Sequence, residues 1–158
     1  MSTNVTPQRP LQYEFLMEIR VDLELQIIGD TPAGHRRIYP IKGGWFKGPN
    51  LQGDVLPGGS DTFLVRPDGV GTLDVRATLK TDDGALIYVT YQGRIHHVPS
   101  LEAKLIAGEA VPWSDYYFRV APLYETASEQ YIWLNQIVAI GVGEADLGGV
   151  TYSVYRIL

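Results

Sequence analysis

Residues Gly58–Gly93, GGSDTFLVRPDGVGTLDVRATLKTDDGALIYVTYQG, hold three strand-like runs separated by two tight turns. Asp61–Arg66 meets Pro67-Asp68-Gly69, Thr72–Lys80 meets Asp82-Asp83-Gly84, and Ala85–Gln92 follows. Asp-Gly between alternating runs marks a hairpin, because glycine accepts the positive φ that a tight reversal demands. The stretch therefore reads as an antiparallel meander. In its middle run Leu73, Val75, Ala77 and Leu79 share one face, and Thr72, Asp74, Arg76 and Thr78 share the other. Side chains alternate along a strand with period two, so Asp74 and Arg76 point the same way. Outward, they form a solvated pair. Inward, they line a polar cavity.

The same logic extends upstream. Over Tyr13–Ile28 apolar residues alternate with Glu14, Glu18, Arg20, Asp22, Glu24 and Gln26, the pattern of a half-buried strand. At about 3.3 Å per residue such a strand would run roughly 50 Å, so a bend or bulge near its middle is expected. His35–Ile41 is a further strand, ending at Lys42-Gly43-Gly44. The paired glycines mark a barrel corner or a loop against a ligand. Ser100–Ala107 is the one helical segment, with Ser100 as N-cap and Gly108 as stop, short enough to be a lid or an end-plug. Strands are expected at Tyr116–Ala121, Ile132–Val142 and Val150–Ile157. The sum is an all-β fold: a closed or nearly closed antiparallel barrel of about 8–10 strands with one short helix, since closure removes exposed edges. A two-sheet sandwich is the alternative. Residues 1–11 read as a mobile tail and 12–158 as the barrel domain.

Composition narrows the function. The 158 residues carry a formal charge of −5 and 45% apolar residues, with 17 Gly, 10 Pro, 10 Tyr and no Cys. No basic cluster exists to neutralise phosphates, so nucleic acid is not expected as a partner. No run approaches the roughly 18 apolar residues of a spanning helix, and no basic amphipathic helix suggests a membrane surface. Without cysteine there is neither disulfide nor thiolate chemistry, and a cytoplasmic location is expected. His96 and His97 are adjacent and His35 is the only other histidine, a poor start for a metal site, so none is expected. Nucleotide-binding loops are missing, and no cofactor is expected.

Seven strings occur in order: Thr31-Pro32-Ala33-Gly34, Gly43-Gly44-Trp45-Phe46-Lys47-Gly48-Pro49, Leu56-Pro57-Gly58-Gly59-Ser60-Asp61, Leu73-Asp74-Val75-Arg76, Thr81-Asp82-Asp83-Gly84-Ala85, Tyr117-Phe118-Arg119 and Tyr131-Ile132-Trp133-Leu134-Asn135. Together they resemble the domain-of-unknown-function family 3237 (DUF3237), also called uncharacterised protein family 0311 (UPF0311), from about Phe15 to Tyr155. The resemblance implies a calycin-like, lipocalin-shaped barrel and favours an aromatic or polyketide-like ligand over a macromolecule.

The site candidates follow, each beside a plainer role. Asp61 is either a turn residue or a general base at the barrel mouth, its pKa raised by burial. Asp74 and Arg76 are either a surface pair or, as the Leu-Asp-x-Arg resemblance suggests, an inward acid and its oxyanion-holding partner. Arg119 and Tyr117 share a face, as do Trp133 and Asn135. Asn135 is either a core clamp or an oxyanion donor. The expected catalytic set is Asp61, Asp74, Arg76 and Arg119, with Tyr88, Tyr117, Trp133 and Asn135 against the substrate. The function these imply is a cofactor-independent lyase or isomerase acting on a small aromatic, phenolic or polyketide-like compound inside the barrel. A non-catalytic carrier or sensor is the alternative. A homo-oligomer pairing through the outer face of Tyr13–Ile28 is the third reading.

Overall fold

The structure is a computed structural model that describes residues 6–158. Ten strands form one sheet: β1 (Tyr13–Leu23), β2 (Gln26–Thr31), β3 (Gly34–Lys47), β4 (Gln52–Val55), β5 (Ser60–Val65), β6 (Gly71–Thr81), β7 (Leu86–Ile95), β8 (Phe118–Glu125), β9 (Val138–Asp146) and β10 (Gly149–Ile157). One helix, α1 (Val98–Ile106), and two 3-10 turns, Trp113–Asp115 and Glu129–Gln136, complete it. Residues 6–12 carry no strand or helix, and the rest of the expected tail, residues 1–5, lies outside the described residues. No helix among the described residues is long and apolar enough to cross a membrane.

The sheet closes because β1 pairs with β10 on one side and with β3 on the other, every pairing being antiparallel. Ten strands occupy eight positions around the wall. The long Tyr13–Ile28 alternation breaks at Glu24-Leu25, so β1 pairs with the second half of β3 and β2 with the first half. Likewise β4 and β5 share one position, bordering β3 on one side and β6 on the other. The expected bend thus takes the form of a break, with a bulge in each arm, between Phe15 and Met17 and between Ile27 and Gly29. The result is a closed eight-position antiparallel barrel.

The paired glycines do not end β3. They turn it through a corner: Gly44 has φ +141°, and a Cβ placed there would meet the Arg20 carbonyl oxygen at 1.9 Å. This is the close approach of two backbones that a barrel corner requires. A second difference lies after β8. The segment expected to begin a strand at Ile132 is the 3-10 turn Glu129–Gln136, and β9 starts only at Val138. Tyr131 and Leu134 are buried there three residues apart, a 3-10 spacing that overrides the apparent alternation. The helix begins earlier than expected. Pro99 fits the first turn, where no N–H is needed, and His97 at φ 55° occupies the cap position in place of Ser100.

The wall's inner face supplies the core. Leu73, Val75, Ala77 and Leu79 of β6, Ile87, Val89 and Tyr91 of β7, and Phe118, Val120 and Tyr124 of β8 are all buried. Glycine makes room for the large rings: a Cβ at Gly143 of β9 would lie 2.8 Å from the Phe118 ring.

Candidate functional site

The barrel is packed through its middle but hollow at one end, where a cavity of about 320 Å³ opens beneath α1. That volume is at the lower end for sites that enclose small molecules. Most of its wall is apolar, from Phe63, Leu73, Ile95, Phe118, Leu101 and Leu105. A larger hollow of about 450 Å³ lies on the outer wall between Glu18, Trp113, Glu144 and Tyr155. It is formed by outward residues of β1, β9 and β10, away from the interior.

Asp61 is the polar feature of the inner cavity. On β5 it alternates in step with Phe63 and Val65, so it turns inward with them and is only 5% exposed. Its Oδ1 accepts a hydrogen bond from the Asp74 backbone amide at 3.0 Å. Its Oδ2 has no hydrogen-bond partner among the described residues, and no cation pairs with it. Burial pushes its pKa up to about 7. The Asp74 amide opposes that shift and the Asp74 carboxylate adds to it. Directly across the β3–β5 ladder stands Tyr39, which also lines the cavity. Burial raises the Tyr39 hydroxyl above its ordinary range, partly offset by Arg37.

Arg37 sits two residues along the same face of β3 and donates to the Tyr39 hydroxyl at 3.2 Å. Its guanidinium grips Glu102 of α1 through both carboxylate oxygens, with Nη2 at 3.1 Å from Oε2. Glu102 lies on the helix face of Val98, Leu101 and Leu105, at the i, i+3, i+4, i+7 positions that look into the barrel. This ion pair therefore fastens the lid helix to the wall. Deeper inside, Tyr91 and Tyr152 meet edge to face with ring centroids 5.6 Å apart, and the Tyr152 hydroxyl is buried without a hydrogen-bond partner.

Of the eight residues expected from the sequence, Asp61 alone lines this cavity. The expectation of inward Asp74 and Arg76 is overturned. They lie on the outer face of β6, because turning them in would expel Leu73, Val75 and Leu79. Arg119 also lies outside, between buried Phe118 and Val120, with its guanidinium 5.1 Å from the exposed Tyr117 ring. Tyr117 in turn stacks on His96 at 4.6 Å. Tyr88 is on the outer face of β7 at 41% exposure. Trp133, in the 3-10 turn, lies 5.6 Å from the Arg156 guanidinium. Asn135 clamps the loop before that turn: Oδ1 accepts from the Thr126 amide at 2.8 Å, and Nδ2 donates to the Thr126 and Ile132 carbonyls at 2.9 and 3.1 Å. Tyr39, Arg37 and Glu102 were missed, although Arg37 shares strand parity with Tyr39 and Ile41, and Glu102 falls on the apolar helix stripe. No group of three or more His, Cys, Asp or Glu side chains converges as a metal site among the described residues.

Known proteins resemble this chain over nearly its whole length. A UPF0311 protein of Clostridium acetobutylicum is 40% identical over 157 residues, covering 98% of this chain and 99% of that one. The crystal structure of a conserved protein of unknown function from Rhodopseudomonas palustris superposes with a TM-score of 0.86 at 34% identity, covering 98% of this chain and all of that one. The hydroalkoxylation enzyme phnH of Penicillium herquei is 30% identical over 133 residues, 84% of this chain and 74% of that protein. A crystal structure of an enzyme from the same fungus superposes with a TM-score of 0.74 at 25% identity, covering 98% of this chain and 99% of that one. Residues 11–157 match the family described as "Protein of unknown function (DUF3237)", and the chain belongs to it.

Proposed function

We propose that the chain is a cofactor-independent enzyme of the lyase or isomerase type, in which Asp61 shuttles a proton to and from a small phenolic or polyketide-like substrate held under α1. One observation carries this reading: a carboxyl group buried in a largely apolar cavity and paired with no cation among the described residues, the Arg37 of the same cavity being taken up by Glu102. Such a group destabilises the fold when ionised, and a desolvated carboxyl in a cavity is the kind of group that active sites use. A pKa of about 7 leaves both protonation states populated at neutral pH, the condition under which one group both gives and takes a proton efficiently. The resemblance to a hydroalkoxylation enzyme suggests the bond: addition of a hydroxyl across a carbon–carbon double bond, or its reversal.

The step balances without oxidant or reductant. Neutral Asp61 gives its proton to one alkene carbon, and the substrate hydroxyl oxygen bonds to the other. The hydroxyl proton then returns to Asp61. One π bond and one O–H bond break while one C–H and one C–O bond form. Within a single molecule the product is an isomer; between two, the reverse step is a lyase reaction. Tyr39, opposite Asp61, is placed to hold the attacking oxygen.

The test is incubation with 2-alkenylphenols in D₂O, followed by mass spectrometry and NMR. Ring closure with one deuterium on carbon is expected, and Asp61→Asn should slow it by at least about 10²-fold. Conversion that survives in Asp61→Asn would remove Asp61 from the chemistry. Binding without conversion across the panel would favour the carrier reading, to which the largely apolar wall also lends itself.

A further inference from the structure

The mouth of the cavity is ringed by large apolar side chains that no packing requirement explains. Leu25 at the β1–β2 break, Ile27 of β2, Ile106 at the end of α1 and Leu147 in the β9–β10 turn all border the opening. They are 53%, 62%, 74% and 71% exposed. Three separate segments thus bring four aliphatic groups to one rim. Apolar surface gathered at a cavity entrance and left in water marks a binding contact.

The charges around the same space are equally directional. Arg37 is neutralised by Glu102, and Asp146 at the rim is held by Arg20, with Nη2 at 3.1 Å from Oδ1. Asp61 and the rim residue Glu24 have no cationic partner among the described residues. Among the described residues the cavity therefore offers no free positive charge, and its uncompensated groups are carboxyls. An anionic headgroup would be repelled there, whereas a neutral hydroxyl or carbonyl could bond to Asp61 and Tyr39.

We infer that the ligand is an uncharged amphiphile. Its oxygen-bearing head, a phenol, alcohol or ketone, sits beneath α1, and its hydrocarbon chain leaves through the collar of Leu25, Ile27, Ile106 and Leu147. This rests on the inner cavity being the substrate site, but not on the chemistry proposed for Asp61.

Calorimetric titration with 4-alkylphenols from ethyl to octyl, beside 4-alkylbenzoates of matching length, tests it. Affinity for the phenols should rise up to about fourfold per methylene, the value for burying one CH₂, before levelling as the chain passes the rim. The benzoates should bind more weakly at every length. In the triple variant Ile27→Asn/Ile106→Asn/Leu147→Asn the chain-length slope should flatten while the affinity for 4-ethylphenol is kept. The altered residues are exposed, and an unchanged melting temperature verifies the fold. The inference is overturned by affinity independent of chain length, by benzoates that match the phenols, or by a slope preserved in the triple variant. If the triple variant keeps the slope but loses binding to phosphatidylcholine vesicles or loses self-association, the collar serves a membrane or a second copy instead. Asp61→Asn separates this from the proposed function, since it should slow turnover as stated above and shift the affinity of every phenol alike, leaving the chain-length slope intact.

Discussion

The Asp74 backbone amide donates to Asp61 Oδ1 at 3.0 Å, while the two carboxylates face opposite sides of the barrel wall. One hydrogen bond from a main-chain N–H is all that offsets the burial of Asp61, and it is too little to keep the pKa in the ordinary carboxylate range. Folded, Asp61 holds its proton until about pH 7; unfolded, it releases it near the ordinary 3.8. Between those values the native state binds more protons than the unfolded state, so stability falls as pH rises. The loss amounts to roughly 4 kcal/mol once pH exceeds 7. Asp61→Asn, which keeps an oxygen for the Asp74 amide, should abolish that dependence. Urea unfolding at pH 5 and pH 8 is the measurement. The wild type should be weaker at pH 8 and the variant nearly level, hence the more stable of the two there. A wild-type midpoint that climbs from pH 5 to pH 8 in parallel with the variant would show that Asp61 titrates normally.

The clasp between α1 and β3 makes a separate expectation. Arg37 is largely buried and Glu102 about one-third exposed, so the pair is screened on one side only. Glu102→Ala would leave the guanidinium short of its carboxylate, at a cost of roughly 1–2 kcal/mol. The effect should be local: amide hydrogen exchange over residues 101–105 should speed up more than exchange in β6 and β7. Uniform acceleration across the barrel would mean that the pair supports the whole fold and not the lid alone.

The meander, the long alternating N-terminal strand and the closing logic were all legible in the sequence, because period-two alternation and Asp-Gly turns are local signals. Asp61 was legible for the same reason, sharing parity with Phe63 and Val65. The error at Asp74 and Arg76 came from setting the Leu-Asp-x-Arg resemblance above the hydrophobic pattern of the same strand. Leu73, Val75 and Leu79 claim the interior, and two charges on the other face cannot outbid them. Trp133 and Asn135 were misplaced because eight residues of 3-10 turn can imitate strand alternation. The Arg37–Glu102 clasp joins residues 65 positions apart, a relationship no local pattern contains.

The outward placement of the arginines is directly testable. Arg76 makes no hydrogen bond or ion pair among the described residues, so Arg76→Ala should change stability by no more than about 0.5 kcal/mol. Arg119→Ala removes its contact with the Tyr117 ring and should cost about 0.5–1 kcal/mol. Neither should alter the affinity for a ligand in the inner cavity. A tenfold loss of binding in either variant would return that arginine to the site.

At the barrel corner, Gly44→Ala meets two obstacles at once. The backbone is in the left-handed half of φ space, and the new methyl would collide with the Arg20 carbonyl on β1. Since β1 closes the barrel through this ladder, the backbones must separate, at a cost of at least about 3 kcal/mol. Thermal unfolding reads it. A melting temperature within two or three degrees of wild type would show that the corner is pliable.

Tyr152 carries the last expectation. Its ring packs edge to face on Tyr91 and Phe118, with centroids 5.6 and 5.4 Å away, while its hydroxyl is buried and unpartnered. An unsatisfied buried hydroxyl costs stability, and Phe keeps the ring while removing the polar atom. Tyr152→Phe should therefore stabilise the barrel by about 1 kcal/mol in urea unfolding, since the approach of the Tyr91 hydroxyl, its nearest polar neighbour, falls outside hydrogen-bond geometry and little is lost with it. The nearby Asp61 gives the result a second meaning. If turnover falls while stability rises, the hydroxyl is kept for a polar group that only the substrate brings. A variant less stable than wild type would instead show that the hydroxyl is bonded in the resting protein, and its role would be structural.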